Sequence, residues 1–316
     1  MASIDPHNMP DLKTLSVCFL GAGNLGLPIL QSLVRSSRAA RPTSAISIIE
    51  FFVCVRSQST KDKLSKIFKD QSHVDITIGE NVTAVEASEV VILAVDPADV
   101  TSTLQEDGMD QAFSSGEKLL ISVAAGWTTD DLKRTLFRDN YSMNDEPKTG
   151  QAHILRTLPN IAAQVGESMT AIEISEPAHP DWALTITDAI FSSIGTTAHV
   201  PPSLMDATTA VAGSTPAFFA VICDALIDAS VAVGVPRPMA QKMIYQSMLG
   251  TATMMRDGLH PGLLKDQGTS PEGCTIGGLM VLEEGALRGT LGRGLREAVT
   301  VARRMGYEPH VNDTRR

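Results

Sequence analysis

Short apolar runs alternate with amphipathic segments along the first part of the chain. The runs have the length and β-branched content of buried strands and lie at residues 16–20, 46–55, 74–78, 90–95 and 118–123. Between them, residues 24–38 and 61–70 have helical periodicity, and Thr128 or Thr129 is placed to cap a further helix. Because strand and helix alternate, we expect a parallel sheet with crossover helices.

The pattern changes at the pair Pro201 and Pro202. Before it, residues 138–151 are polar and predict a surface loop, and further short strands are predicted at residues 153–157, 170–174 and 196–200. After it, helices are predicted at residues 216–233, 239–256, 275–287 and 291–305, with a loop at residues 258–273. The sequence therefore predicts an α/β domain in residues 1–200 and an all-α domain in residues 201–316.

Charge and composition exclude several classes of function. The formal net charge is −10 and aromatic residues make up 4% of the chain, which argues against nucleic acid as a partner. No apolar stretch reaches the ~18 residues of a membrane span, so we expect no membrane-spanning helix and no membrane partner. The helical domain is apolar enough that we expect it to bury surface against a second copy of the chain. The alternative is a monomer whose helices pack on the first domain.

Cysteine and histidine spacing bears on location and metal binding. The four cysteines, Cys18, Cys54, Cys223 and Cys274, are scattered, which predicts reduced thiols in a cytoplasmic protein. The seven histidines have no ligand-type spacing, so we expect no metal site.

A glycine motif follows the first predicted strand. Gly21, Gly23 and Gly26 have the spacing G-x-G-x-x-G and open a predicted helix. In that context Gly21 permits a tight turn, Gly23 lets the backbone approach a pyrophosphate, and Gly26 lets the helix pack against the strand. The motif favours a Rossmann-type dinucleotide site; the alternative is a plain turn between strand and helix.

The residues after the second predicted strand discriminate between cofactors. An acidic residue there would bind the ribose hydroxyls of NAD, but the strand is followed by Arg56 and Ser57. A guanidinium and a hydroxyl suit the 2′-phosphate of NADP, so we expect NADPH, with NADH as an alternative donor. The alternative for Arg56 is a solvated side chain, and Glu50 lies too early in the run to replace it.

A second anion site is predicted in the helical domain. Small residues at 269–274 run directly into a predicted helix, whose free N–H groups would bind a carboxylate. Thr275 would add a hydroxyl there, and its alternative role is to cap the helix.

The chain resembles the pyrroline-5-carboxylate reductase family, which completes proline synthesis. The substrate-loop segment that carries the resemblance is Leu264-Lys-Asp-Gln-Gly-Thr-Ser-Pro-Glu-Gly-Cys-Thr275. Other segments that fit the family in order and spacing are Phe19-Leu-Gly-Ala-Gly-Asn-Leu-Gly26, Val91-Ile-Leu-Ala-Val-Asp-Pro97, Ser122-Val-Ala-Ala-Gly126 and Arg156-Thr-Leu-Pro-Asn160.

The resemblance implies a fold, a reaction and a set of site residues. The fold is an N-terminal Rossmann domain with an all-helical C-terminal domain that forms homodimers, in some members assembled into decamers. The reaction is NADPH-dependent hydride transfer to the cyclic imine 1-pyrroline-5-carboxylate, giving L-proline. The cofactor residues carried over are Gly21, Gly23, Asn24 and Leu25 at the pyrophosphate, with Gly26 completing the motif, Arg56, Ser57 and Asn81 at the adenosine ribose, and Val95, Pro97, Ala124 and Ala125 at the nicotinamide. The substrate residues are Gln267, Ser270, Gly273, Cys274 and Thr275, with Thr275 orienting the ring nitrogen.

Two positions depart strongly from the family pattern, and a third, Thr215 in place of a glycine, departs more mildly. Asp96 stands where the family usually has a lysine, and Glu272 stands where it usually has a glycine. Glu272 places a negative charge on a loop expected to bind a carboxylate, and at a position where positive φ favours glycine. Three interpretations follow: drift in a proline-synthesis enzyme, a reductase of a different cyclic imine in a specialised pathway, or a dinucleotide-binding homologue without turnover.

Overall fold

The computed structural model describes residues 14–37, 47–138, 152–174 and 179–305. The N-terminal segment and nearly all of the predicted loop at 138–151 lie outside these residues. The described residues divide into two compact units, one ending at Gly213 and rejoined by residues 302–305, the other formed by residues 214–301. The domain boundary predicted after residue 200 lies one helix before the division at Gly213, and it stays a prediction.

The first unit is built on one sheet of eight described strands. The strands are β1 (Thr14–Leu20), β2 (Ser47–Val55), β3 (Val74–Ile78), β4 (Val90–Leu93), β5 (Leu119–Ser122), β6 (His153–Leu158), β7 (Ser168–Glu173) and β8 (Gly195–Val200). Their order is β3-β2-β1-β4-β5-β6-β7-β8, and all neighbours from β3 to β6 are parallel. This is the strand order of a Rossmann-type sheet, extended at one edge by β7 and β8.

The sheet is parallel, as predicted, except at that edge. β7 runs antiparallel to β6, and β8 runs parallel to β7. The connection from β6 to β7 holds only a short 3₁₀ turn, Ile161–Val165. A parallel crossover needs a dozen or more residues, so this connection returns the chain in the opposite direction.

Both faces of the sheet are buried at its centre, because alternate residues of the central strands enter different layers. In β1, Val17 and Phe19 belong to one apolar layer, whereas Cys18 and Leu20 belong to the other. All four side chains are fully or almost fully buried. This two-sided burial explains why the strands appear as continuous apolar runs in the sequence.

Helices cover the two faces of this sheet. They are α1 (Gly26–Ser37), α2 (Gln58–Ile67), α3 (Asn81–Glu86), α4 (Val100–Leu104), α5 (Met109–Ser114), α6 (Thr129–Phe137), α7 (Asp181–Ser192) and α8 (Pro202–Thr208). Thr128 caps α6, and its hydroxyl accepts the Asp131 N–H at 3.1 Å, which confirms one of the two predicted caps. Sequence analysis missed α3, α4, α5, α7 and α8; most of these are too short to show a clear helical period.

A buried lysine joins β5 to the end of α3. The Lys118 ammonium group donates to the carbonyl oxygens of Val85, Glu86 and Ser88 at 2.9, 3.0 and 2.7 Å. The residue is only 5% exposed, and its burial lowers the pKa of Lys118. The cation thus satisfies backbone acceptors at the C-terminal end of a helix, where positive charge is favourable.

The second unit is helical in its described residues. After a π-helical turn, Thr209–Ser214, come α9 (Thr215–Ala232), α10 (Arg237–Arg256), α11 (Pro261–Gln267), α12 (Cys274–Glu284) and α13 (Leu287–Arg304), whose last residues return to the first unit. The predicted helices are present, with ends shifted by a few residues. The predicted loop at 258–273 is partly wrong, because α11 lies within it; His260 caps this helix by accepting the Gly262 N–H.

Large apolar side chains of this unit are exposed in the single chain. Examples are Phe219, Val221, Leu249, Met280 and Val281, each at least half exposed. By length and composition alone, the helical run Pro202–Ala232 could cross a membrane. A helix covered by protein can meet the same criterion, so the expectation of no membrane-spanning helix stays a prediction.

Candidate functional site

The glycine motif forms a tight turn between β1 and α1. Gly21 has a φ of 88°, which favours glycine, and its N–H donates to the Cys54 carbonyl at 2.9 Å. A Cβ on Gly21 would lie 2.8 Å from the Ala94 carbonyl oxygen, and one on Gly26 would lie 2.9 Å from the Ala94 Cβ. The structural reasons predicted for Gly21 and Gly26 are therefore confirmed. Ala94 is the residue they contact, and sequence analysis had not singled it out.

A cleft of about 980 Å³ opens beside this turn. Of the predicted cofactor residues, those that line it are Gly21, Gly23, Asn24, Arg56, Ser57, Asn81 and Val95. A Cβ on Gly23 would contact nothing within 4 Å, so this backbone faces open space where a phosphate could approach. Volume, open glycine backbone and the adjacent N-terminus of α1 together fit a dinucleotide.

The remaining predicted cofactor residues do not line the cleft. Leu25 and Gly26 belong to the turn and to the start of α1, whereas Pro97, Ala124 and Ala125 follow the ends of β4 and β5. Ala124 is 2% exposed. The Trp127 indole N–H donates to the Pro97 carbonyl at 2.9 Å and links these two segments, a contact that sequence analysis missed. The nicotinamide roles of these residues stay predictions.

Arg56 and Ser57 lie where the second strand ends, as predicted. The Ser57 hydroxyl caps α2 by accepting the Thr60 N–H at 3.2 Å. The Arg56 guanidinium pairs with Asp99, with Nη1 2.7 Å from Oδ2. Glu50 is exposed in the middle of β2, away from the strand end. The strand end therefore presents a cation, a hydroxyl and a helix N-terminus to the cleft, a set suited to a phosphate.

Further polar groups line the cleft near Asn81. The Asn81 side-chain amide donates to Oε1 of Glu106 at 2.6 Å. Cys54 also lines the cleft, and its hydrogen bond with Cys18 lowers the pKa of Cys54. Burial raises the pKa of Cys18. Asp99, Glu106 and Lys63 were not identified from the sequence, because only the fold brings them to this cleft.

Asp96 has a structural role at the end of β4. Its Oδ1 accepts the Ala98 N–H at 3.0 Å and caps the 3₁₀ turn Pro97–Asp99. A lysine in this position could not cap the turn, since an ammonium group has no acceptor. Compared with a lysine, Asp96 thus adds a cap to the turn and places a negative charge in the cleft.

The predicted substrate loop lies in the second unit, between α11 and α12. Residues 270–273 form a tight turn closed by a hydrogen bond from the Gly273 N–H to the Ser270 carbonyl at 3.0 Å. Glu272, the third residue of this turn, has a φ of 60°, which confirms the expectation that this position favours glycine. A Cβ on Gly273 would lie 2.4 Å from the Ser270 hydroxyl oxygen, so a larger residue there would displace the Ser270 side chain.

The predicted substrate residues lie together around the start of α12. Gly273 is the residue that caps the helix, so the alternative role of Thr275 as the cap is wrong. The side chains of Gln267, Ser270, Cys274 and Thr275 are all exposed. The structure thus places Gln267 at the end of α11, Ser270 and Gly273 on the loop, and Cys274 and Thr275 at the start of α12. Their contacts with substrate stay predictions. Within the described residues no cluster of His, Cys, Asp or Glu forms a metal site.

The fold and the cleft define the class of this protein. Nucleotide-dependent oxidoreductases are characterised by a Rossmann-type sheet with a glycine turn after the first strand. They also have residues at the end of the second strand that bind the adenosine ribose or its phosphate. Two family models agree with this class. Residues 16–126 match the model described as NADP oxidoreductase coenzyme F420-dependent, and residues 202–305 match the model described as pyrroline-5-carboxylate reductase dimerisation.

Curated relatives extend this similarity over nearly the whole chain. A pyrroline-5-carboxylate reductase of Lophium arboricola is 39% identical, over 95% of this chain and 97% of that protein. One of Neurospora crassa is 34% identical, over 97% of this chain and 99% of that protein. A solved pyrroline-5-carboxylate reductase of Coxiella burnetii has a TM-score of 0.77 at 26% identity, covering 94% of this chain and all of that one. The chain belongs to the pyrroline-5-carboxylate reductase family.

Proposed function

We propose that the protein reduces 1-pyrroline-5-carboxylate to L-proline with NADPH. The observation that carries the proposal is the similarity to curated pyrroline-5-carboxylate reductases over 95% of this chain and 97% of the relative. The glycine turn and the cleft at Arg56 support NADPH as the donor.

The cofactor would supply hydride, and the residues of the cleft would bind and orient it. Gly21, Gly23 and Asn24 offer backbone to the pyrophosphate beside the N-terminus of α1. Arg56 and Ser57 offer a guanidinium and a hydroxyl to the 2′-phosphate of NADPH. Binding of this kind fixes the donor in place, so most of the rate enhancement would come from positioning.

The loop of the second unit would bind the substrate. The start of α12 offers free N–H groups to a carboxylate, and the Thr275 hydroxyl holds the proton of the imine nitrogen. A protonated imine accepts hydride more readily, because the reaction then neutralises charge on nitrogen. The residues that complete this site are Gln267, Ser270, Gly273 and Cys274.

The protein would act as a cytoplasmic homodimer, with a decamer as the larger assembly that the family resemblance implies. The dimerisation model covers residues 202–305, where Phe219 and Val281 are exposed in the single chain. A second copy, rather than a membrane, would cover them. The free thiols of all four cysteines support a reducing compartment. Light scattering should give at least twice the 33.7 kDa chain mass, and a monomer would contradict the dimer.

Product analysis tests the reaction itself. The purified protein is incubated with NADPH and 1-pyrroline-5-carboxylate, and proline is measured against NADPH consumed. We expect one L-proline for each NADPH oxidised. Cofactor binding without proline formation would contradict the proposed function.

A further inference from the structure

Arg56 already has an anionic partner inside the cleft. Its Nη1 lies 2.7 Å from Oδ2 of Asp99, within hydrogen-bond and ion-pair distance. Arg56 follows β2 and Asp99 ends the 3₁₀ turn that follows β4, so the pair joins the ends of two strands. The side chains are 85% and 36% exposed, which leaves the pair accessible to a ligand that enters the cleft.

The other carboxylates of the cleft have different partners. Asp96 accepts the Ala98 N–H, and Glu106 accepts the Asn81 amide. Among the cleft carboxylates that the structure describes, Asp99 is thus the one that forms an ion pair with a cation of the cleft. We therefore expect the choice of ligand to depend on Asp99 rather than on the total negative charge of the cleft.

A guanidinium that holds a carboxylate offers fewer donors to a phosphate. A 2′-phosphate that binds Arg56 must either replace Asp99 or share the guanidinium with it, and sharing places two anions close together. A ligand with a plain 2′-hydroxyl brings no charge and leaves the ion pair intact. The ion pair consequently weakens binding of a ligand with a 2′-phosphate and leaves binding of a ligand with a 2′-hydroxyl unchanged.

We propose that Asp99 is a specificity-determining residue that competes with the 2′-phosphate of NADPH for Arg56. It reduces the preference for NADPH over NADH and keeps both donors usable. The proposal rests on the proposed function, because it requires the cleft to bind a dinucleotide with its adenosine end at Arg56.

Calorimetric titration of the full chain tests the proposal without turnover. The two ligands are adenosine 2′,5′-bisphosphate and adenosine 5′-monophosphate, which differ only in the 2′-phosphate. In Asp99→Asn we expect the bisphosphate to bind about two- to fivefold more tightly, the range of an exposed ion pair, and the monophosphate to bind as before. Unchanged or weaker binding of the bisphosphate would overturn the proposal.

Asp96→Asn is the matched control. It removes one negative charge from the same cleft, and asparagine still caps the 3₁₀ turn. We expect a smaller change than in Asp99→Asn. An equal gain would mean that general charge, not competition for Arg56, sets the affinity, and would overturn the proposal.

Arg56→Ala separates this proposal from the proposed function. We expect it to weaken the bisphosphate and to leave the monophosphate unchanged. If it does so while Asp99→Asn has no effect, only the role of Asp99 fails. If Arg56→Ala affects both ligands equally, the 2′-phosphate site at Arg56 fails, and the role of Asp99 fails with it.

Discussion

Glu272 combines an unfavourable backbone conformation with an unfavourable charge. Its φ of 60° lies in the left-handed region, and its carboxylate stands on the loop proposed to bind the substrate carboxylate. We expect Glu272→Gly to lower KM for 1-pyrroline-5-carboxylate by about two- to fivefold, as for an exposed charge pair, with kcat and NADPH binding unchanged. Steady-state kinetics measure this.

Glu272→Gln separates the two effects, since it removes the charge but keeps the side chain. A similar fall of KM in both variants would assign the effect to charge, whereas a fall in the glycine variant alone would assign it to the backbone. If neither variant changes KM, the carboxylate does not bind near this turn.

Thr275 is the side chain proposed to act on the imine nitrogen. We expect Thr275→Ala to lower kcat/KM by about 10- to 100-fold, the scale of one lost hydrogen bond to a charged group. Thr275→Ser keeps a hydroxyl and should retain most of the activity. NADPH affinity, measured by calorimetry, should not change in either variant; an active alanine variant would remove Thr275 from the mechanism.

The contact between β5 and α3 depends on Lys118. Lys118→Met fills similar space but leaves the Val85, Glu86 and Ser88 carbonyls without their donor. We expect the free energy of unfolding to fall by about 2–3 kcal/mol, as for a buried hydrogen-bonding group left unpaired. Urea denaturation at fixed protein concentration measures this. The same substitution at exposed Lys66, on α2, should change it by less than ~0.5 kcal/mol, and equal effects would deny Lys118 a structural role.

The elements with strong hydrophobic periodicity could be predicted from the sequence, and the others could not. The strands β1 to β8 appear as short apolar or β-branched runs, and the long helices α9, α10, α12 and α13 appear as long apolar or amphipathic segments. The short helices α3 and α11 do not, and the antiparallel direction of β7 depends on the length of its connection to β6. Tertiary packing decides these features, so local pattern does not contain them.

The same division holds for the candidate site. The positions of Gly21, Gly23 and Arg56 beside the cleft could be predicted, because each closely follows a strand in the sequence. Asp99 and Trp127 could not, because their partners Arg56 and Pro97 lie 43 and 30 residues away in the chain. Contacts at such separations exist only once the strand ends meet at one edge of the sheet.

Acid sensitivity belongs to the whole molecule. Burial lowers the pKa of His153 and His179 from 6.5; nearby Lys133 lowers both further, whereas Glu117 raises that of His153. The unfolded chain therefore binds protons more readily than the folded one. We expect these two histidines to leave the free energy of unfolding unchanged above about pH 6.5 and to lower it as the pH drops towards 5.

His153→Phe should reduce this acid sensitivity. It removes one titrating group but preserves the edge-on contact with Trp182, whose ring lies 5.3 Å from that of His153. Denaturation at several pH values should show a shallower slope in the variant. An unchanged slope would mean that other groups control acid stability.

The rate of NADPH oxidation with a panel of cyclic imines shows which substrate the protein reduces. The panel contains 1-pyrroline-5-carboxylate, a piperideine carboxylate and an uncharged cyclic imine. We predict a kcat/KM for 1-pyrroline-5-carboxylate at least ~10-fold above that for the uncharged imine, because the start of α12 is proposed to bind the carboxylate. A preference for another imine, or NADPH binding without turnover of any, would contradict this prediction.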